Sequence, residues 1–272
     1  MLTWDRPQFK ATGRSVFQSN YWPFVAVSLL LMFALGDGVS VDIISEVRSI
    51  WASGASAGVS APATIVAFFF TNDGVSAESL TNAVYALGTL AVPFIGSIGL
   101  ASVALDLLVF GPFEVGASRF FLENANGGPV GFSRVAWGFT ANFGNVVLTQ
   151  FLRKLFIFLW SLLFVIPGIV RSYGYFAVPF LLAENPQMDH NRALRLSLEM
   201  TRGFKWSIFV THLSFIGWLL LSAITLNIVG IFYVYPYMNA TDAEMYRFLR
   251  ENALRTGIAT YDELPGTGNV LP

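Results

Sequence analysis

The sequence predicts an all-α protein, a polytopic transmembrane helical bundle of about six spans with both termini cytoplasmic. Three observations predict it. Of 272 residues, 54% are hydrophobic and only 12% charged, where soluble domains carry roughly 25% charged residues. Mean hydropathy is +0.59. Apolar blocks recur along the chain, and Lys and Arg cluster in the stretches between them. The net charge of -1 excludes the basic footprint of a nucleic-acid binder. The absence of cysteine excludes disulfides, thiolate metal sites, a Cys nucleophile and a lipoprotein anchor. Two histidines, His190 and His212, leave little for a His-based metal site or triad. No metal and no cofactor are therefore expected.

The first apolar block, Tyr21–Gly36, follows a polar leader with Arg6, Lys10 and Arg14. A signal peptide has the same outline, but the long aromatic leader favours a retained span. The stretch 37–83 reads as an acidic outer loop, with Asp37, Asp42, Glu46, Asp73 and Glu78 against Arg48. Within it, Ala61–Phe70 would make a helix of about 15 Å, half the hydrocarbon core, and reads as re-entrant. Val84–Phe110 is long enough to cross. Its Gly88, Gly99, Ser102 and Asp106 share one helical face, which suits close helix packing.

Gly111–Asn145 reads as a polar connection. Phe151–Asn185 is a long apolar block broken at Pro167-Gly168. Gln187–Lys205 is basic, and Asp189 is a plausible cap for an amphipathic helix whose polar face carries Arg192, Arg195, Glu199 and Arg202 and suits anionic lipid at the cytoplasmic surface. A span from Trp206 to Ile224 and a break at Thr225–Gly230 precede Ile231–Tyr246 and a charged end. The expected organisation is one transmembrane domain over 1–250, with cytoplasmic connections at about 111–150 and 184–205, and a cytoplasmic tail at 251–272.

Charge chooses between two topologies. If the blocks at 151–183 and 207–237 are hairpins of short helices, 14 of the 16 Lys and Arg residues fall inside, leaving Arg48 and Arg171 outside. If each block is one long span, Arg192, Arg195, Arg202 and Lys205 move outside and Arg171 is buried in lipid, at about 2.5–3.5 kcal/mol. The hairpin topology is expected, with Pro167-Gly168 as an outer elbow.

Four residues are candidate binding positions. Asp106 on the small-residue face reads as a proton or cation site, or as a carboxylate paired with Arg153, Lys154 or Arg119. Glu114 falls in the first turn of a helix opened by Gly111-Pro112, where the dipole alone accounts for it. Arg119 lies beside it. Arg171 reads as a phosphate ligand or as a snorkelling interfacial residue. His212 reads as a packed histidine. No residue is assigned as catalytic, and no phosphate-binding Gly loop, carboxylate pair or zinc spacing is present.

The pieces GPFEVGASRFFLE at 111–123, 152–186, LSLEMTRGFKW at 196–206, 213–237 and Ala240-Thr241, with FQSNYW before the first span, resemble a bacterial integral membrane family catalogued as domain of unknown function nine-seven-five. The resemblance covers roughly two thirds of the chain. It implies a multi-pass protein of the bacterial cytoplasmic membrane and no established reaction, ligand or site residue. The expected role is a non-enzymatic partner, immunity or envelope-associated component. Its partners would be the lipid bilayer and another membrane protein or a peptide at the outer loop. The alternatives are a small transporter or channel built around Asp106, and a lipid-active enzyme using Glu114.

Overall fold

A computed structural model describes residues 3–35, 104–127 and 130–267. The outer loop, Ala61–Phe70 and the face of Gly88, Gly99 and Ser102 lie outside the described residues. The chain divides into two compact units, Met1–Leu35 with Leu107–Pro272, and Gly36–Asp106. Nearly all described residues belong to the first, which is all-helical.

Helix α1 (Arg6–Ser19) starts where the Asp5 carboxylate accepts the Gln8 N–H at 3.1 Å, with Pro7 in its first turn. Helix α2 (Tyr21–Leu35) is apolar except for Ser28, whose hydroxyl accepts from Asn239 at 2.9 Å. A π-helical turn, Asp106–Phe110, leads into α3 (Gly111–Ala125). After a 3₁₀ turn (Phe132–Ala136) and the short α4 (Trp137–Thr140) come α5 (Phe143–Leu163), α6 (Val165–Gly174), α7 (Val178–Glu184) and α8 (His190–Met200). The unit closes with α9 (Lys205–Leu213), α10 (Ile216–Ile224), a π-helical turn (Gly230–Val234) and α11 (Tyr235–Arg255).

The core lies where sequence polarity pointed away from it. Helix α3, expected within a polar connection, is almost wholly buried: Val115, Ala117, Phe120, Phe121 and Leu122 pack with Phe17 and Phe24 of α1 and α2. Its charges are tied off inside the protein, which is why they do not keep it at the surface. Every residue of α7 is buried as well. Helix α11 contributes Ala243, Met245, Tyr246 and Leu249 to the same core, and α1 packs along it. The last segment folds back instead of trailing: Ala259 and Leu264 are buried, and Glu263 meets Arg192 at 2.7 Å.

Two hairpins depart from this body. The first is α5 and α6, and its break lies at Phe164, three residues before Pro167-Gly168. Phe164 takes extended backbone (φ -157°, ψ 147°) between two helices. Pro167 then sits in the first turn of α6, where no N–H is needed. The second hairpin turns between α10 and the π-helical turn, where Leu226 and Asn227 both adopt left-handed backbone (φ 50° and 67°). Both blocks therefore fold back as expected, with their turns displaced by a few residues.

Among the described residues, three segments are long and apolar enough to cross a membrane: Phe143–Leu162, Ile166–Glu184 and Lys205–Ile224. That is fewer than the six expected, and one of those six, Val84–Phe110, lies mostly outside the described residues. Tyr21–Met32 is apolar but shorter. The stretch from Ile231 becomes a π-helical turn and the start of α11, which carries buried Thr241 and Glu244 into the core. Ile166–Glu184 includes α7, every residue of which is buried in the core.

Candidate functional site

The four candidate residues go to different places. Asp106 opens the π-helical turn before α3 and is partly exposed. The carboxylate partners considered for it are taken elsewhere in two cases: Arg153 pairs with Glu114 and Arg119 with Glu123.

Arg119 is a structural cation. It is 1% exposed, donates to Glu123 at 2.7 Å and to the carbonyls of Ala183 (2.8 Å) and Thr267 (3.2 Å), and lies 4.1 Å from the Trp137 ring centre. Glu123 also accepts from Arg134 at 2.7 Å. Burial pushes the Arg119 guanidinium down from its usual value and Glu123 pushes back. The guanidinium thus joins α3, α7 and the C-terminal segment, a role that a lone arginine in sequence does not announce.

Glu114 stands in the first turn of α3, as expected, and both of its oxygens accept from the Arg153 Nη2 (2.9 and 2.7 Å), with Gln150 adding a bond at 3.2 Å. This pair forms one wall of a cavity of about 270 Å³, which Ser118, Ser172, Asn239 and Asp242 also line. Asp242 meets His212 at 2.8 Å, so the packed histidine of the sequence reading has a partner thirty residues away. Each acid of this cavity already faces a basic group. It can pin α5 to α3 and α9 to α11, and it presents no set of three His, Cys, Asp or Glu side chains for a metal among the described residues.

Arg171 is the correction that matters. It was expected on the outer surface, opposite Arg195. Instead both line one cleft of about 590 Å³, together with Arg202, Lys205, Glu199 and the apolar Trp160, Pro167, Val170 and Leu198. The reason is the placement of the turn at Phe164. Seven residues of α6 carry Arg171 about 10 Å back along α5, where its guanidinium lies 4.6 Å from the centre of the Trp160 ring. Helix α8 begins as the sequence predicts, with the Asp189 carboxylate accepting the Arg192 N–H at 3.1 Å. Its apolar side (Leu194, Leu196, Met200) is buried in the body, not laid on a surface, and Arg195 and Arg202 project outward. Helix α9 supplies Lys205 from its first residue. The cleft draws on four helices, α5, α6, α8 and α9; the sequence singled out Arg171 as a binding candidate and read Arg195, Glu199 and Arg202 as the polar face of a helix. Nothing in the spacing of 171, 195, 202 and 205 reveals that they converge.

Residues 162–253 match the model of a family described as a protein of unknown function (DUF975). The matched segment runs from the tip of the first hairpin through most of α11, and it contains all four cations of the cleft. It coincides with the family that the sequence motifs resemble, while GPFEVGASRFFLE at 111–123 falls outside the match. No curated protein and no solved structure matches the chain.

Proposed function

We propose that this chain, with its family segment at 162–253, is a non-enzymatic integral membrane protein of the bacterial cytoplasmic membrane. It acts as a partner, immunity or envelope-associated component. Its ion-paired body lies on the cytoplasmic side and its two hairpins enter the lipid.

One observation carries this reading. Five of the eight most exposed large apolar side chains among the described residues sit at the two hairpin tips, where the polar groups bond within the protein; the other three, Trp22, Trp206 and Tyr261, lie elsewhere. Leu162, Phe164 and Ile166 are 69–75% exposed, and Ile224 and Leu226 are 80% and 88% exposed. At the second tip the Asn227 side-chain Oδ1 accepts from the Ser222 (2.6 Å) and Tyr235 (3.2 Å) hydroxyls, the Asn227 backbone N–H donates to the Ser222 carbonyl (2.8 Å), and the Thr225 hydroxyl donates to the Leu221 carbonyl (3.0 Å). Near the first, Ser161 donates to the carbonyl of Ile157. Water would make such closure unnecessary; hydrocarbon requires it.

The charges set the depth. Ten residues separate Lys154 from Phe164, about 15 Å of helix and half the hydrocarbon core. Arg171 then returns to the level of Arg195. The first hairpin is therefore a re-entrant element, and Arg171 joins the cytoplasmic cations, leaving Arg48 as the exception to the positive-inside pattern.

Alkaline extraction of membranes carrying the full chain tests the reading. The chain should stay in the membrane fraction, and Phe164→Asp with Leu226→Asp should release a large part of it, since a charge at that depth costs about 2.5–3.5 kcal/mol. Release of the unaltered chain would overturn the proposal.

A further inference from the structure

We propose that the cleft between the α5–α6 hairpin and the α8–α9 segment binds the phosphate headgroup of an anionic membrane lipid. This rests on the membrane-inserted reading and adds a ligand to it.

The cleft gathers Arg171, Arg195, Arg202 and Lys205 around one carboxylate, Glu199. Glu199 is itself engaged by Arg192 of its own helix at 3.2 Å. Arg171 is near enough to act on Lys205 electrostatically. Four cations facing one another with one shared acid repel, and an anion placed among them relieves that repulsion. Guanidinium groups suit phosphate because their planar forks meet its oxygens two at a time.

The site is held together by specific contacts. The Gly174 carbonyl at the end of α6 accepts from Ser197 (2.9 Å) and Thr201 (3.2 Å) of the α8 segment. Gly174 also lets the ends of Leu198 and Lys205 lie close against α6. A Cβ there would lie 2.7 Å from Leu198 Cδ2 and 3.3 Å from Lys205 Nζ. These bonds set the distance between Arg171 on one wall and Arg195, Arg202 and Lys205 on the other. Stacking on Trp160 fixes the Arg171 guanidinium in turn.

The surroundings select a lipid over a soluble phosphate. Trp160, Pro167, Val170 and Leu198 make part of the lining apolar. The surface continues into exposed Ile169, Val170 and Trp206, and tryptophan favours the headgroup level of a bilayer. A cleft of about 590 Å³ is within the range of small-molecule sites. A ligand with a charged head and an apolar tail matches both halves of this lining; inorganic phosphate matches one.

The test is native mass spectrometry of the detergent-solubilised full chain, titrated with dioleoylphosphatidylglycerol, dioleoylphosphatidylcholine or inorganic phosphate. Phosphatidylglycerol should be retained in preference to phosphatidylcholine, and inorganic phosphate should not displace it. The double variant R195Q/R202Q, both exposed positions, should weaken retention roughly tenfold or more. E199Q, which removes the acid, should strengthen it, and R255Q, outside the cleft, should leave it unchanged. Equal retention by R195Q/R202Q and the unaltered chain, or equal retention of the two lipids, would overturn the site. Displacement by inorganic phosphate would make the ligand a soluble anion and overturn the lipid assignment. Alkaline extraction of the same preparations separates the two ideas: a chain that stays in membranes and ignores phosphatidylglycerol loses the cleft and keeps the insertion.

Discussion

Gly168 of α6 lies against Ser161 of α5, so that a Cβ added to Gly168 would stand 2.8 Å from the Ser161 Cα and overlap the Ser161 hydroxyl. The glycine of the Pro-Gly pair is thus the contact between the hairpin arms, and the turn itself is made by Phe164. The arms can run side by side only because position 168 offers no carbon.

Gly168→Ala is therefore expected to force the arms apart. Overpacking of this kind costs about 1–3 kcal/mol. The measurement is the melting temperature of the detergent-solubilised chain, and an unchanged value would mean that the arms are not in contact.

Arg119→Ala removes a guanidinium that bonds two carbonyls and Glu123 in the core. Breaking one partner of a buried pair costs about 3–5 kcal/mol. The expected result is poor accumulation and early unfolding. Arg134→Ala, which loses an exposed partner of the same Glu123, should cost far less, about 0–1 kcal/mol. Equal losses in the two variants would contradict the assigned roles.

Glu263 should make stability depend on pH. Its hydrogen bonds with Arg192 hold its carboxyl below the usual carboxylate value of about 4.5, against the opposing effect of burial and with help from Thr260. A depressed folded value means the folded state holds its proton less tightly than the unfolded one. The bridge thus stabilises fully above about 4.5 and is lost as pH falls through the lower, folded value. Melting followed from pH 7 to pH 3 should show a steeper decline in the unaltered chain than in E263Q, because E263Q has no bridge to lose. Parallel declines would remove the bridge from the account.

Arg171 and Arg195 should be reached from the same side of a membrane. The chain has no cysteine, so R171C and R195C can each be labelled alone with an impermeant maleimide on oriented vesicles. Labelling from one side for both is expected; labelling from opposite sides would restore the outer elbow at Pro167-Gly168.

The helical class, the hairpins and the Asp189 cap were legible because each is a local property. Continuous apolar runs, a helix-breaking pair and a capping side chain act within a few residues of themselves. The position of the turns was legible only to within a few residues, because Pro is as welcome in the first turn of the next helix as in a loop. Helix α3 was misread for a physical reason. Glu114, Arg119 and Glu123 look like surface charges until Arg153, the Ala183 and Thr267 carbonyls and Arg134 are known to meet them. The same limit applied to the site: Glu114, Arg119 and Arg171 were singled out one at a time, and apart from Glu123, four residues from Arg119, the partners named above lie 11 to 148 residues away in sequence.

By itself the sequence determined what the chain is made of: apolar helices, two reversals and a basic segment between them. The reason is that hydrophobic periodicity, turn chemistry and charge counts are sums over neighbours. Tertiary structure alone decided which apolar residues fill a core and which face outward. Val178–Glu184 and Ile216–Ile224 are both mainly apolar and opposite in burial. It also decided that Arg171 faces Arg195. That depends on a fold-back at Phe164 and on the Gly174 carbonyl holding Ser197 and Thr201, and no pattern along the chain records the distance between two helices.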